Sequence, residues 1–174
     1  MLTVVIPFKS NPTNLAVLLA QLQPQLNPDD DIYILDSSSD RSALKLAALY
    51  GTTRSYIFVE IGPYGKALEA GLESMADNNQ HALLFLNENC FISSTFVANM
   101  KKAIDSPYQI VSPRVYRNPY HKMDSNFKLY NSPIRELVEA EDFNADCFLL
   151  TRQSKKSYGL LVNEYVTVNR NFNI

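Results

Sequence analysis

Residues 2–22 read LTVVIPFKSNPTNLAVLLAQL, and the change of period inside that stretch decides the fold. Thr3 to Phe8 is an apolar run rich in β-formers, the pattern of a strand buried on both faces. Asn11-Pro12 then offers an N-cap and a first-turn proline. From there Leu15, Leu18, Leu19, Leu22 and Leu26 recur at three- and four-residue steps, which predicts a helix. A strand buried on both faces that feeds an amphipathic helix is the opening unit of a parallel α/β sheet.

The unit repeats. Ile32 to Leu35, Ser55 to Ile61 and Ala82 to Leu86 are further short apolar runs. Asp40 can cap a second helix through Leu44, Ala47 and Ala48, stopped at Gly51. Leu68, Gly71, Leu72 and Met75 mark a third helix. Ser94 opens a fourth, with Val97, Met100 and Ile104 inward. Four βα units in succession imply right-handed crossovers and a mostly parallel central sheet between helices, a three-layer sandwich. After residue 105 the pattern loosens. Gln109 to Tyr116 reads as a strand interrupted by Pro113, and residues 117–131 as a polar, aromatic-rich loop. Ser132-Pro133 opens a short helix, and Ala145 to Thr151 is another strand. No internal repeat or linker divides the chain, so a single domain is expected over residues 1–174.

Composition narrows the class. The 174 residues are 46% hydrophobic and 20% charged, ordinary globular usage that argues against disorder. Sixteen Lys+Arg against eighteen Asp+Glu give a net charge of -2, no general electrostatic reason to bind nucleic acid. Cys90 and Cys147 are too few for a disulfide framework and lack zinc-ligand spacing, so they read as reduced core thiols. The N-terminus goes directly into a strand, and no apolar run approaches the ~20 residues of a membrane span. A cytoplasmic protein without a leader or transmembrane segment is expected.

Open α/β sheets bind ligands beyond the carboxyl ends of their strands. Those ends read Phe8-Lys9-Ser10-Asn11, Asp36-Ser37-Ser38-Ser39-Asp40, Gly62-Pro63-Tyr64-Gly65-Lys66 and Asn87-Glu88-Asn89-Cys90. The dinucleotide fingerprint, the P-loop and the G-x-S-x-G nucleophile elbow are all missing from the sequence. What remains is a rim of Asp, Ser and Asn.

This ordered series resembles the family 2 glycosyltransferases, nucleotide-diphospho-sugar transferases of the GT-A fold. Val4-Val5-Ile6-Pro7, Asn14 and the leucines after it match the family's opening. Asp36 and Asp40 match the outer acids of its second-strand loop, and Gly65-Lys66-Ala67 its small, basic segment. Asn87-Glu88-Asn89 stands where the family has a D-x-D element. Cys147 to Arg152, Tyr158-Gly159 and Asn163-Glu164 resemble the stretch before its acceptor site. The resemblance implies that residues 1–105 form the nucleotide-binding βα units and residues 106–174 the acceptor side. It also implies transfer of a sugar, with inversion, from a nucleotide-sugar donor to a saccharide or other hydroxyl acceptor, as in polysaccharide biosynthesis.

The same resemblance assigns roles. Pro7, Phe8, Lys9, Asp36, Ser38, Lys66 and Asn87 would line the donor pocket. Asp36 would accept hydrogen bonds from a base or ribose, or else cap its own turn. Glu88 and Asn89 would hold Mn²⁺ or Mg²⁺, weakly or only with the donor, because one carboxylate and two amides make a poorer shell than two acids; the bland alternative is a surface turn. Lys9, Arg41 and Lys66 could oppose phosphate directly. The general base is expected at Glu164 or Asp146, since the Glu-Asp pair that follows in the family has no counterpart here; the Glu139-Glu141-Asp142 cluster reads as a solvated helix face. A second function, from a different class, is a degenerate GT-A-like domain that binds nucleotide or a protein without catalysis. A nucleotidyltransferase fits less well, for want of a Gly-rich loop after the first strand.

Overall fold

A computed structural model of the chain describes residues 1–50, 56–58, 82–108, 110–113, 115–117, 128–130 and 146–151. The opening unit is as its pattern requires: β1 (Leu2–Phe8) is buried along its whole length, and α1 (Pro12–Leu22) follows it. Asn11 caps α1 by accepting the Asn14 N–H at 3.1 Å, and Pro12 stands in its first turn. The helix stops short of Leu26, tightening into a 3₁₀ turn at Gln23–Gln25. Next come β2 (Asp31–Asp36), α2 (Ser42–Leu49), β3 (Tyr56–Phe58) and β4 (Ala82–Leu86). The remaining elements are β5 (Cys90–Ile92), α3 (Phe96–Lys102), β6 (Ile110–Val111), β7 (Val115–Arg117), β8 (Lys128–Tyr130) and β9 (Cys147–Leu150).

Six strands form the central sheet in the order β3-β2-β1-β4-β9-β6. The pairs β3·β2, β2·β1 and β1·β4 are parallel, whereas β9 runs antiparallel to both β4 and β6. The fold is therefore α/β with a mixed, mostly parallel central sheet, as expected. Side chains alternate across it. Leu2, Val4, Ile6 and Phe8 of β1 join Leu84, Leu86 and Leu149 against Leu15, Leu18, Leu19 and Leu22 of α1, Ala43 and Ala47 of α2, and Phe96, Val97 and Met100 of α3. The opposite face is buried too, with Val5, Leu35, Leu83, Phe85 and Phe148. There the rings of Phe85 and Phe148, cross-strand neighbours, stack at 4.6 Å. Each leucine buried from α1 is worth about 1.5–3 kcal/mol, so α1 is held chiefly by the sheet beneath it.

Four expectations need correction. The strand read across Pro113 is two strands: β6 belongs to the central sheet and β7 to a separate three-stranded sheet, β5-β8-β7. Proline lacks the N–H a ladder needs, and the chain changes sheets around it. Part of the loop read over residues 117–131 is strand, since Lys128–Tyr130 pairs in parallel with Cys90–Ile92. Asp40 acts from one position further out than a cap. Its Oδ1 accepts the Ser42 N–H at 3.1 Å, while Arg41, at φ 51°, occupies the N-cap position. Nor does Ser94 open α3: the helix starts after Thr95, and Gln25 Oε1 accepts the Val97 N–H at 3.0 Å from across the layer. The helices read around residues 68–75 and 132–138 lie outside the described residues, and no described helix is long and apolar enough to cross a membrane.

Candidate functional site

The strand register brings the carboxyl ends together. Phe8 is level with Asp36, Asp36 with Phe58, and Leu86 with Cys147. Lys9, the turn after Asp36, Asn87 and Asp146 therefore share one rim. The chain leaves β1 toward β2 on one side and reaches β4 on the other, so β1 and β4 flank a topological switch point, where open sheets form their crevice.

Among the described residues, two carboxylates of this rim are buried, Asp36 and Glu88. Asp36 is 0% exposed; its Oδ1 accepts the Ser38 N–H at 2.7 Å and the Ser38 hydroxyl at 2.5 Å. Asp36 thus forms the turn that follows β2, as Asx residues do, and Ser38 is turned inward with it. The Ser37 N–H and hydroxyl both donate to the Phe8 carbonyl at 2.9 Å, tying this turn to the end of β1.

Glu88 is 7% exposed, and its carboxylate reaches across the switch point. Oε2 accepts the Lys9 N–H at 2.8 Å, and Oε1 accepts the Ser10 and Asn11 N–H groups, each at 3.3 Å. Burial pushes the Glu88 carboxyl above its ordinary range; the three N–H groups pull it back without offsetting that, and the nearby Asp36 charge adds to the rise. The turn carrying Glu88 is itself fastened. Cys90 N–H donates to the Asn87 carbonyl at 2.9 Å, Asn89 N–H to Asn87 Oδ1 at 2.9 Å, and Asn87 N–H to the Asp146 carbonyl at 2.8 Å. Asn89 Oδ1 accepts the Asn14 amide at 2.7 Å.

This geometry bears on the residues expected to bind. Lys9 is exposed at the rim, whereas Pro7 is a buried strand residue and Phe8 lies in the core against α1. The Phe8 ring is therefore no wall of a donor pocket: in a strand buried on both faces, every side chain has a packing partner. Glu88 and Asn89, expected as metal ligands, have their oxygens on N–H groups, and Asn87 Oδ1 is likewise taken. A hard cation asks for a shell of six or more oxygens. Among the described residues no group of three His, Cys, Asp or Glu side chains is gathered. These residues do not fit a resident divalent cation. Asp146 is brought to the rim beside Asn87, while Lys66 and Glu164 lie outside the described residues.

Sequence reasoning passed over Asn14 and Asn11 as partners of the turn after β4. Their only signal was position, at the mouth of the first helix. Cys90 and Cys147 are buried thiols outside any disulfide, as read. The Cys90 thiol donates to the Asp146 carbonyl at 3.2 Å.

No protein-family model and no curated protein matches the chain. Among solved structures, the galactosyltransferase LgtC, in complex with donor and acceptor sugar analogs, overlays with a TM-score of 0.48 and 15% identity. The overlay covers 98% of this chain and 66% of that one, so this chain spans just under two thirds of its neighbour's length. A likeness of that degree carries nothing about activity.

Proposed function

We propose that the rim above β1, β2 and β4 receives the diphosphate of a nucleotide sugar, and that the chain transfers the sugar to a hydroxyl of a saccharide or other acceptor. The observation that carries this reading is the register, which gathers Lys9, the Asp36–Ser38 turn, Asn87 and Asp146 along one edge at the switch point. Of the residues that resemble family 2 glycosyltransferases, Asp36 and Asn87-Glu88-Asn89 fall on that same edge. In this reading the Lys9 ammonium, joined by Lys66, opposes the charge of the leaving diphosphate. The Asp36–Ser38 turn frames the nucleoside. Asp146 or Glu164 takes the proton of the acceptor hydroxyl as its oxygen attacks the sugar carbon and the bond to phosphate breaks, inverting that carbon. A cytoplasmic setting belongs to the same reading.

A thermal-shift panel of nucleoside diphosphates and their sugars tests it. A true ligand at one hundred times its Kd should add about 2.7 kcal/mol to native stability and raise Tm accordingly. Lys9→Ala should weaken that binding about tenfold, the loss of one charge-assisted contact. Repeating the panel with Mn²⁺ reads out any cation carried in with the diphosphate. No shift with any nucleoside diphosphate would sink the proposal. A second reading, a binding module without catalysis, is favoured by the commitment of Glu88 to backbone N–H groups. A shift unaccompanied by sugar transfer or donor hydrolysis would select it.

A further inference from the structure

Three successive N–H groups, from Lys9, Ser10 and Asn11, converge on one point at the mouth of α1. Consecutive amides turned toward a common point form a concavity that takes an anion. Here the chain fills it. The Glu88 carboxylate comes from the turn after β4, 77 to 79 positions away, and it is 7% exposed. That turn is held on three sides: by the Asp146 carbonyl, by the Asn87 side chain, and by the Asn14–Asn89 bond back to α1. The carboxylate is therefore not a mobile surface group that settled on the loop. It is delivered to the N–H groups by a rigid support.

We propose that Glu88 is a positioning residue, an internal anion that fixes the course of the β1–α1 loop and of the Lys9 side chain it carries, and that it does not bind a divalent cation. The geometry has a chemical corollary. Removing the carboxylate leaves three converging N–H groups and a space of carboxylate size, which a small carboxylate anion from solution should fill. The assignment goes beyond the nucleotide reading and does not depend on it.

The experiment is amide NMR on the whole chain, with formate and Mn²⁺ as probes. In Glu88→Ala the amide hydrogens of residues 9–11 should exchange about tenfold faster or more. Formate should slow them again and raise Tm, while chloride at equal ionic strength should not. Glu88→Gln keeps the shape and one acceptor oxygen, so it should fall between the two; it carries the test if the alanine variant does not fold. In the wild-type protein, Mn²⁺ should leave the amide signals of residues 9–11 and 87–89 no broader than those of the opposite rim. Unchanged exchange at residues 9–11 in the variants overturns the proposal, as does selective Mn²⁺ broadening at those residues that Glu88→Gln abolishes. A rescue by chloride equal to that by formate also overturns it, because a general salt effect needs no cradle. Nucleotide is absent from every arm, so the fate of the nucleotide reading leaves these outcomes untouched.

Discussion

Asp30 does at one rim of the sheet what Glu88 does at the other. Its side chain is 2% exposed and ion-paired with Lys101. It also accepts the Leu2 N–H at 2.9 Å and the Asn27 N–H at 2.8 Å. Burial by itself would raise the Asp30 carboxyl, but Lys101 and the two N–H groups outweigh it and hold it below its ordinary value. A depressed folded value means stability that is present above the unfolded range and lost as pH falls through the folded one. Asp30→Asn should therefore lower Tm at pH 7, and its difference from wild type should close below about pH 4. Calorimetry across about pH 2–7 checks this; a constant difference throughout would refute it. On the opposite rim, Asp36→Ala should cost about 1–3 kcal/mol in urea unfolding, because the Ser38 N–H loses its acceptor in a buried place. Position alone marked Asp36 and Glu88 in the sequence, since each follows or ends an apolar strand at the sheet's carboxyl edge. The direction each carboxylate faces was not legible. Glu88's partners are 77 to 79 residues away, and Asp30 is one of three consecutive aspartates with nothing local to single it out.

At the scale of elements, α1 was legible because five leucines at helical spacing and a capping Asn-Pro agree with one another. Its far end was not. Gln25, in the 3₁₀ turn, donates to the Ser93 carbonyl at 2.9 Å and accepts the Val97 N–H at 3.0 Å, so it caps α3 from outside. Gln21 accepts the Ile92 N–H in the same way. Thr95, at the N-cap position, makes no side-chain capping bond. Gln25→Ala should therefore cost about 1–2 kcal/mol, the loss of a cap, in equilibrium urea unfolding. A change within experimental error would mean that water replaces it fully. Capping by a distant residue has no sequence signature, which is why Ser94 drew the assignment instead. The three-residue strands β5 and β8 were illegible for a different reason: no period can be read from three residues.

For the whole molecule, the parallel half of the sheet followed from alternating strand and helix patterns, which allow few topologies. The antiparallel entry of β9 did not follow, since Cys147 to Leu150, apolar on both faces, specify burial and not direction. Its insertion beside β4 seals Cys147 inside the sheet, where burial raises the thiol well above its ordinary value, helped by Cys90 and Asp146 nearby. Both thiols are buried, and the thiolate is the reactive form. Iodoacetamide labelling at about pH 8, followed by mass spectrometry, should therefore proceed only as fast as unfolding exposes the thiols. Labelling that outpaces global unfolding would place them on a locally opening part of the sheet.

The reach of Glu88 also sets an order of assembly. Its three bonds span a loop of 77 to 79 residues, and they cannot form until β4 has docked against β1. Closing so long a loop is costly in entropy before any bond rewards it. The first βα unit can fold early, but its mouth takes its final shape late. A weakening at residue 88 should then appear in the unfolding arm of a chevron plot and leave the folding arm nearly unmoved. Glu88→Gln, measured by stopped flow, would contradict this if it slowed folding in proportion to the stability lost. The edge proposed to meet a ligand would be the last part of the domain to be finished and the first to come undone.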